Sequence, residues 1–589
     1  IRGSESRHVL IMVDGKRLGG ELSYNSANAW DVDRIRMEDV ERVEIIRGPA
    51  GALYGSDAMG GVINVITKTP NKNIAEINYE YGWYENGKGA GYKSNLYLQG
   101  AENNYSYKIN AGLNKNRPYE VSEGNDANFY GKEQPLSLNV GYTFDNGNKL
   151  SADFSRIKEE NEQNSKTVTQ RVINMGMMGA VPQESTAYST VANDNKRTDY
   201  ALTYSGNDDK HDWMIRTYKS VYDKNYTSIK DTYKKLFIMG NWRDQTHEAP
   251  SVKQDTLSVI EGKDTINLSE KHKMTAGFEY RQDKSEGTRL KKKSTPLPGA
   301  GNNVHDAYDE AEINYLAAYV QDEFRPDKKW LIIPSVRFDH SDKFGNEVTS
   351  RLATTYNAAD DVRIKAVLGQ GYKTPTVNEL YHYWEMYTGM QMGEKYYRYG
   401  QFFEGNPDLK PEKSLSYELA IEKDFGENST IHLGVFRNEV KDLIKDYYTG
   451  VNTNSTTHPG LVGIDNIMTY RNIPEALQQG VELYGSHKLA KDLYLNAGYT
   501  FLDAKDKTSN KRLTDRAKHQ FTMGISYQPE NIYAWDLSFD IVSNIGYYFN
   551  NGDKSTMGNF VYETKDFTIA NIMASRHLNK DTKIYLGID

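Results

Sequence analysis

The chain contains no cysteine, which excludes a disulfide framework, a thiolate metal site and a cysteine nucleophile. No run approaches the ~18 apolar residues of a spanning helix. Apolar residues make up only 38% of the chain, and the mean hydropathy is −0.74. Excess basic charge is missing too. Lys and Arg number 72 against 80 Asp and Glu, a formal charge of −8, so no surface built for nucleic acid is expected, although a local basic patch stays open. Proline stays at 16 while glycine reaches 48. The abundance lies in the aromatics: 44 Tyr, 18 Phe and 7 Trp. A disordered chain is poor in these. A water-soluble chain of 589 residues would divide into domains with clear 3.6-residue periodicity, and that is hard to find here. Low hydropathy with many Tyr and Gly fits a transmembrane β-barrel, in which alternate residues face lipid and a wet lumen.

The chain changes character near residue 70. Residues 1–70 are glycine-dense and hold the apolar runs Val9–Val13 and Val43–Ile46, whereas from 71 to 589 a period of two repeats. Ala75, Ile77, Tyr79, Tyr81 and Trp83 share one face, and Tyr105, Tyr107, Ile109, Ala111 and Leu113 share another. Ten tight polar turns, from 100–104 to 577–581, alternate with ten mostly long loops, from 85–92 to 544–560. Short turns at one end and long loops at the other mark a membrane barrel. Twenty connections require 21 strands, and bacterial barrels hold an even number, so the expected fold is all-β: a 22-stranded antiparallel transmembrane barrel whose last strand falls beyond Asp589. So wide a barrel needs a plug, and residues 1–70 are the candidate, as the second half of such a domain. Val43, Ile45, Val62, Val65 and Ile66 are its expected core.

Several spaced elements carry a family likeness. Asp14-Gly15-Lys16-Arg17, Val40 to Pro49, Ala52-Leu53-Tyr54-Gly55 and Gly60 to Thr67 resemble the plug of TonB-dependent outer-membrane receptors, and a long barrel follows directly. The resemblance implies active uptake across the bacterial outer membrane by a monomer set in outer-membrane lipid. Energy would come from the TonB–ExbB–ExbD complex, pulling on a segment expected ahead of residue 1. No enzyme activity and no resident cofactor are implied. Calcium at the extracellular loops stays open, as no spacing resembles an EF-hand loop. In the family, plug arginines meet barrel glutamates, and the matching residues are Arg47 with Glu418 and Glu482, joined by Arg42 and Glu44. Buried charge must be paired, so such a cluster could hold the plug while remaining breakable.

The cargo has two main readings. Tyr372-Lys373-Thr374-Pro375-Thr376 and Asn406 to Glu412 resemble motifs that bracket one loop in haem and haemoprotein receptors. His382 is the only histidine between them and becomes the candidate iron ligand, with Tyr381, Tyr383 and Trp384 beside it and Tyr24 on the plug. This is the main reading, set against a wet loop histidine in an aromatic belt. The alternative is a ferric siderophore of the catecholate type, anionic and aromatic. Tyr396, Tyr397 and Arg398 would suit it, complemented by Trp30, Arg34 and Arg36 on the plug. Cobalamin comes third. A passive porin or an adhesin is the competing class, and a plug argues against an open pore.

Overall fold

The computed structural model describes residues 2–18, 35–85, 88–174, 180–236, 240–247, 251–291, 308–392, 395–449, 466–551 and 561–589. Four strands build a small sheet at the front of the chain: β1 (Val9–Val13), β2 (Lys16–Arg17), β3 (Val40–Arg47) and β4 (Gly61–Thr67), in the order β2-β1-β4-β3. The uninterrupted apolar run of β1 suits an inner strand covered on both faces, and Val9, Leu10, Ile11 and Met12 are all buried. It runs parallel to β4, with Val9 opposite Gly61 and Val13 opposite Val65. Val62 and Val65 enter the core as expected, but Val43 and Ile45 are 48% and 55% exposed. The reason is topological, since β3 is an edge strand of the sheet. A one-turn helix at Gly51–Tyr54 lies against the surrounding wall and ends at Gly55, whose φ of +69° favours glycine. A Cβ there would stand 2.9 Å from Nη2 of Arg337.

The wall begins with β5 (Ile74–Gly82), β6 (Gly91–Glu102) and β7 (Tyr105–Asn116). After a small hairpin, β8 (Glu120–Ser122) and β9 (Asn125–Asp126), it continues through β10 (Tyr130–Thr143), β11 (Lys149–Asn174) and β12 (Ala180–Asn207) as far as the strand Thr582–Ile588. Thirty strands are assigned among the described residues. Setting aside the plug sheet, the hairpin and three extracellular additions (Gly240–His247, Tyr383–Met392 and Lys395–Glu404) leaves 21 in the wall, which closes as a barrel. With an odd number, β5 and the last strand run in the same direction where the order closes, and Tyr585 donates to Glu80 there at 3.3 Å.

Alternation along each strand separates lipid from lumen. On the strand Trp330–Ser341, Val336 and Phe338 point outward while Arg337, Asp339 and Ser341 are buried inside. Ile77 on β5, 83% exposed, belongs to the same outer apolar surface. No helix among the described residues is long and apolar enough to cross a membrane, and the strands make the crossing. The connection between Val362–Lys373 and Glu412–Phe425 carries the short helix Val377–Tyr381, started by a capping box of Thr376 and Glu379, and then the hairpin Tyr383–Met392 and Lys395–Glu404.

Candidate functional site: the plug–wall contacts and the extracellular mouth

Glu418 and Glu482 face the lumen from the strands Glu412–Phe425 and Asn466–Ala490 and meet at one arginine, which is Arg2. Its guanidinium donates to Glu418 at 2.8 and 3.0 Å and to Glu482 at 2.8 and 3.0 Å, with Phe436 beneath it at 4.8 Å. Burial alone would lower the pKa of Arg2; the two glutamates more than offset this and raise it. Arg47, the arginine expected here, instead lies over the ring of Tyr484 at 4.9 Å. Arg42 and Glu44 pair with one another at 2.8 Å on the exposed face of β3, remote from the cluster because that strand is the sheet edge. The family resemblance supplied the acidic partners and not the basic one. The usable signal was the charged stretch Arg2 to His8, set directly before a strand with no exposed face.

A second cluster sits higher in the lumen. Arg7 donates to Glu5 at 2.9 Å, to Glu379 at 3.0 Å, to the carbonyl of Ile444 at 2.9 Å and to Glu412, which is fully buried. His8 Nε2 lies 2.5 Å from the other oxygen of Glu412, and the Ile444 N–H donates to Glu412 at 2.6 Å. Glu379 holds the long loop as well, since its second oxygen accepts from the Thr376 N–H at 2.8 Å. Adjacent plug residues therefore grip both ends of the 373–412 loop. Glu5 is ion-paired with Lys445 and Arg516. Burial would raise its pKa, but Lys445, Arg7, His8 and Arg516 hold it well below the usual carboxylate range.

A third cluster surrounds the turn after the plug helix. Asp57 meets Lys373 at 2.7 Å, Arg17 at 3.4 Å and Arg281 at 3.9 Å. Burial opposes its ionisation; Lys373, Arg281 and Arg17 win, and its pKa is lowered. Arg337 donates to the Leu53 carbonyl at 3.2 Å and pairs with Glu279 at 3.2 Å and Asp339 at 3.0 Å. These wall charges occupy alternate positions (279, 281, 283; 337, 339), so inward parity is a readable signal of the cluster.

At the mouth, His382 follows the short helix and donates its N–H to the Asn378 carbonyl at 2.8 Å. Its ring is 3% exposed and meets Phe403 edge-on at 4.9 Å, beside Leu290 and Leu380 in an apolar cluster. Burial first, then Arg289 and Lys253, hold its pKa well below the ordinary value. The imidazole is thus neutral but packed inward and not presented to a ligand. Tyr383 is buried with the Lys291 ammonium 4.2 Å from its ring centre, and Lys343 stands 5.6 Å from the ring of Tyr381. Trp384 lies opposite Phe403 in the hairpin, and Tyr396, Tyr397 and Arg398 lie opposite Gln391, Met390 and Gly389; the side chains of Trp384, Tyr396, Tyr397 and Arg398 are outside the described set. Tyr24, Trp30 and Arg34 fall outside the described residues. Arg36 pairs with Glu133 near the start of β10. Among the described residues no group of three or more His, Asp or Glu could hold a metal.

A lipid-facing barrel whose bore is filled by a separate sheet, bolted to the wall through ion pairs, defines a gated outer-membrane transporter. The chain belongs to the TonB-dependent receptor family: residues 77–589 match the model described as "TonB dependent receptor-like, beta-barrel", and residues 1–62 match the "TonB-dependent Receptor Plug Domain". It is 26% identical to the vitamin B12 transporter BtuB of Photobacterium profundum over 563 residues, covering 92% of this chain and 74% of that one. It is 23% identical to the ferrienterobactin receptor of Escherichia coli over 652 residues, covering 100% and 81%. The crystal structure of the siderophore receptor PirA from Acinetobacter baumannii superposes with a TM-score of 0.74 at 20% identity, covering 100% and 87%, a likeness of fold. The protein is a receptor and transporter of the bacterial outer membrane, energised through TonB, and not an enzyme.

Proposed function

We propose that this receptor imports a ferric siderophore of the anionic, aromatic catecholate class, with TonB acting together with ExbB and ExbD. The supporting observation is a set of cation–aromatic pairs around the extracellular end. Arg471 stands over Tyr447 at 4.4 Å, Arg512 over Tyr548 at 5.1 Å and Lys343 over Tyr381. Such pairs offer positive charge and ring faces to a ligand that carries both negative charge and rings. The curated relatives include ferric enterobactin receptors and a probable siderophore receptor, which agrees. The haem reading loses its iron ligand, because His382 is packed among apolar side chains.

Uptake of radiolabelled iron as a ferric catecholate, a ferric hydroxamate and haem, alongside labelled cobalamin, in receptor-deficient cells tests this. We expect catecholate uptake that needs TonB. Haem uptake with a Soret band altered by His382→Ala, or cobalamin uptake without catecholate binding, would overturn it.

A further inference from the structure

We infer that the cargo crosses the lumen along the inner face of β6, β7, β10, β11 and β12, between these strands and the plug, and that Asn95, Asn110 and Asn195 are hydrogen-bonding stations on that route. This rests on the transport reading above.

The inward residues of these strands form a polar lane. Asn110 lies opposite Ser137, Ser137 opposite Ser155, and Ser155 opposite Asp199, to which it donates at 2.8 Å. Their outward neighbours, such as Leu136, Leu138 and Tyr200, keep the lipid face apolar. The lane is also hydrogen-bond deficient. Both amide atoms of Asn95 and of Asn110, 7% and 2% exposed, and the amide oxygen of Asn195, 6% exposed, have no partner among the described residues. A buried amide left unpaired costs about 1–3 kcal/mol. A wall that only held a plug would do better with apolar side chains, and a wall that passes a hydrophilic chelate needs donors and acceptors that are not already committed.

The opposite side of the lumen also holds unpartnered buried polar atoms, Ser414 Oγ and both ring nitrogens of His432 among them, but among the described residues no unpartnered amide, and there the plug makes apolar contacts. There Met59 of the plug packs into Phe436, Val440, Leu443, Ala476 and Leu502, and Arg2, Arg7 and His8 bind buried glutamates. Among the described residues no apolar cluster joins the plug to the lane. Its direct anchors are ion pairs: Lys16 to Asp153 at 3.1 Å, Lys108 to Asp39 at 2.8 Å, and Arg36 to Glu133.

Two variants of the receptor in its native outer membrane test the route. Asn95→Leu with Asn110→Leu keeps the number and branching of side-chain heavy atoms but removes the uncommitted amides. We expect thermal stability equal to or above the parent and binding of ferric catecholate on ice within about twofold, with energised uptake lower by about tenfold. A merely structural role would instead lower stability. The second variant ties down the other side. A Cβ at Gly369 would stand 3.7 Å from Cβ of Pro49, within the ~3.5–4.5 Å of a disulfide. The cysteine-free chain gives Pro49→Cys with Gly369→Cys one possible partner each. We expect the oxidised tether to leave uptake within about twofold of its reduced form, because the passage opens elsewhere. Parental uptake by the leucine variant, or uptake abolished by the tether and restored by reductant, overturns the inference. If the parent receptor takes up none of the cargoes, the transport reading itself has failed and this route fails with it.

Discussion

Around the lumen the plug is held in two different ways. Near the strands Glu412–Phe425, Ser429–Tyr448 and Asn466–Ala490, contacts are dry: Met59 enters an apolar cluster, and Arg2, Arg7 and His8 are matched to Glu418, Glu482 and Glu412. Near β6 to β12 the wall is polar and, among the described residues, the anchors are ion pairs without an apolar cluster. The difference follows from dielectric setting. Breaking a buried pair, Lys108–Asp39 included, strands a charge that water cannot reach, whereas the partly exposed pair Lys16–Asp153 is replaced by hydration at little cost. A plug that must stay shut between transport events and yield during them can be firm on one side and loose on the other.

The largest break in this comparison is expected from Glu412→Ala. It strands Arg7, His8 and the Ile444 N–H together, and about 3–5 kcal/mol of plug seating should be lost. A lower first transition in calorimetry of the purified receptor, with faster proteolysis of residues 1–70, would report it. Acid should come next. The pKa values of Glu5 and Asp57 are depressed in the folded plug, so the stability they contribute is present above the unfolded carboxylate range and is lost as pH falls below about 4 toward their folded values. Plug melting followed from pH 6 to 3 should drop over the lower part of that range, and Asp57→Asn should flatten the drop. Gly55→Ala should cost about 1–2 kcal/mol, from the left-handed backbone and the contact with Arg337, read as a denaturant midpoint. Lys16→Ala on the loose side should cost at most about 1 kcal/mol, because Lys16 and Asp153 are 19% and 29% exposed. A loss as large as that from Glu412→Ala would erase the distinction between the two sides.

Much of the fold could be read before any coordinates. The alternation of Tyr105, Tyr107 and Ile109 against polar neighbours and the alternating connection lengths are local signals, and they led to the 21 wall strands that are observed. Glu418 and Glu482 were legible through the family resemblance, each at a polar position of an alternating run. Arg2 was not, since its pairing spans 416 and 480 positions in the chain and no local pattern records such a distance. Val43 and Ile45 misled for a related reason: an apolar edge strand and an apolar inner strand have the same local sequence. His382 stood in an aromatic run that fits a wet belt and a buried cluster equally well.

By itself the sequence determined that the chain makes paired strands with one apolar and one polar face, because period-two patterning acts between neighbours and needs no knowledge of the rest. It determined as well that a glycine-rich sheet precedes them. Only the tertiary structure decided which arginine neutralises the lumen glutamates, that His382 turns inward, and which arc of the wall keeps its amides uncommitted. Those outcomes depend on burial and on contacts between distant segments, and both come into being only when the barrel closes around the plug.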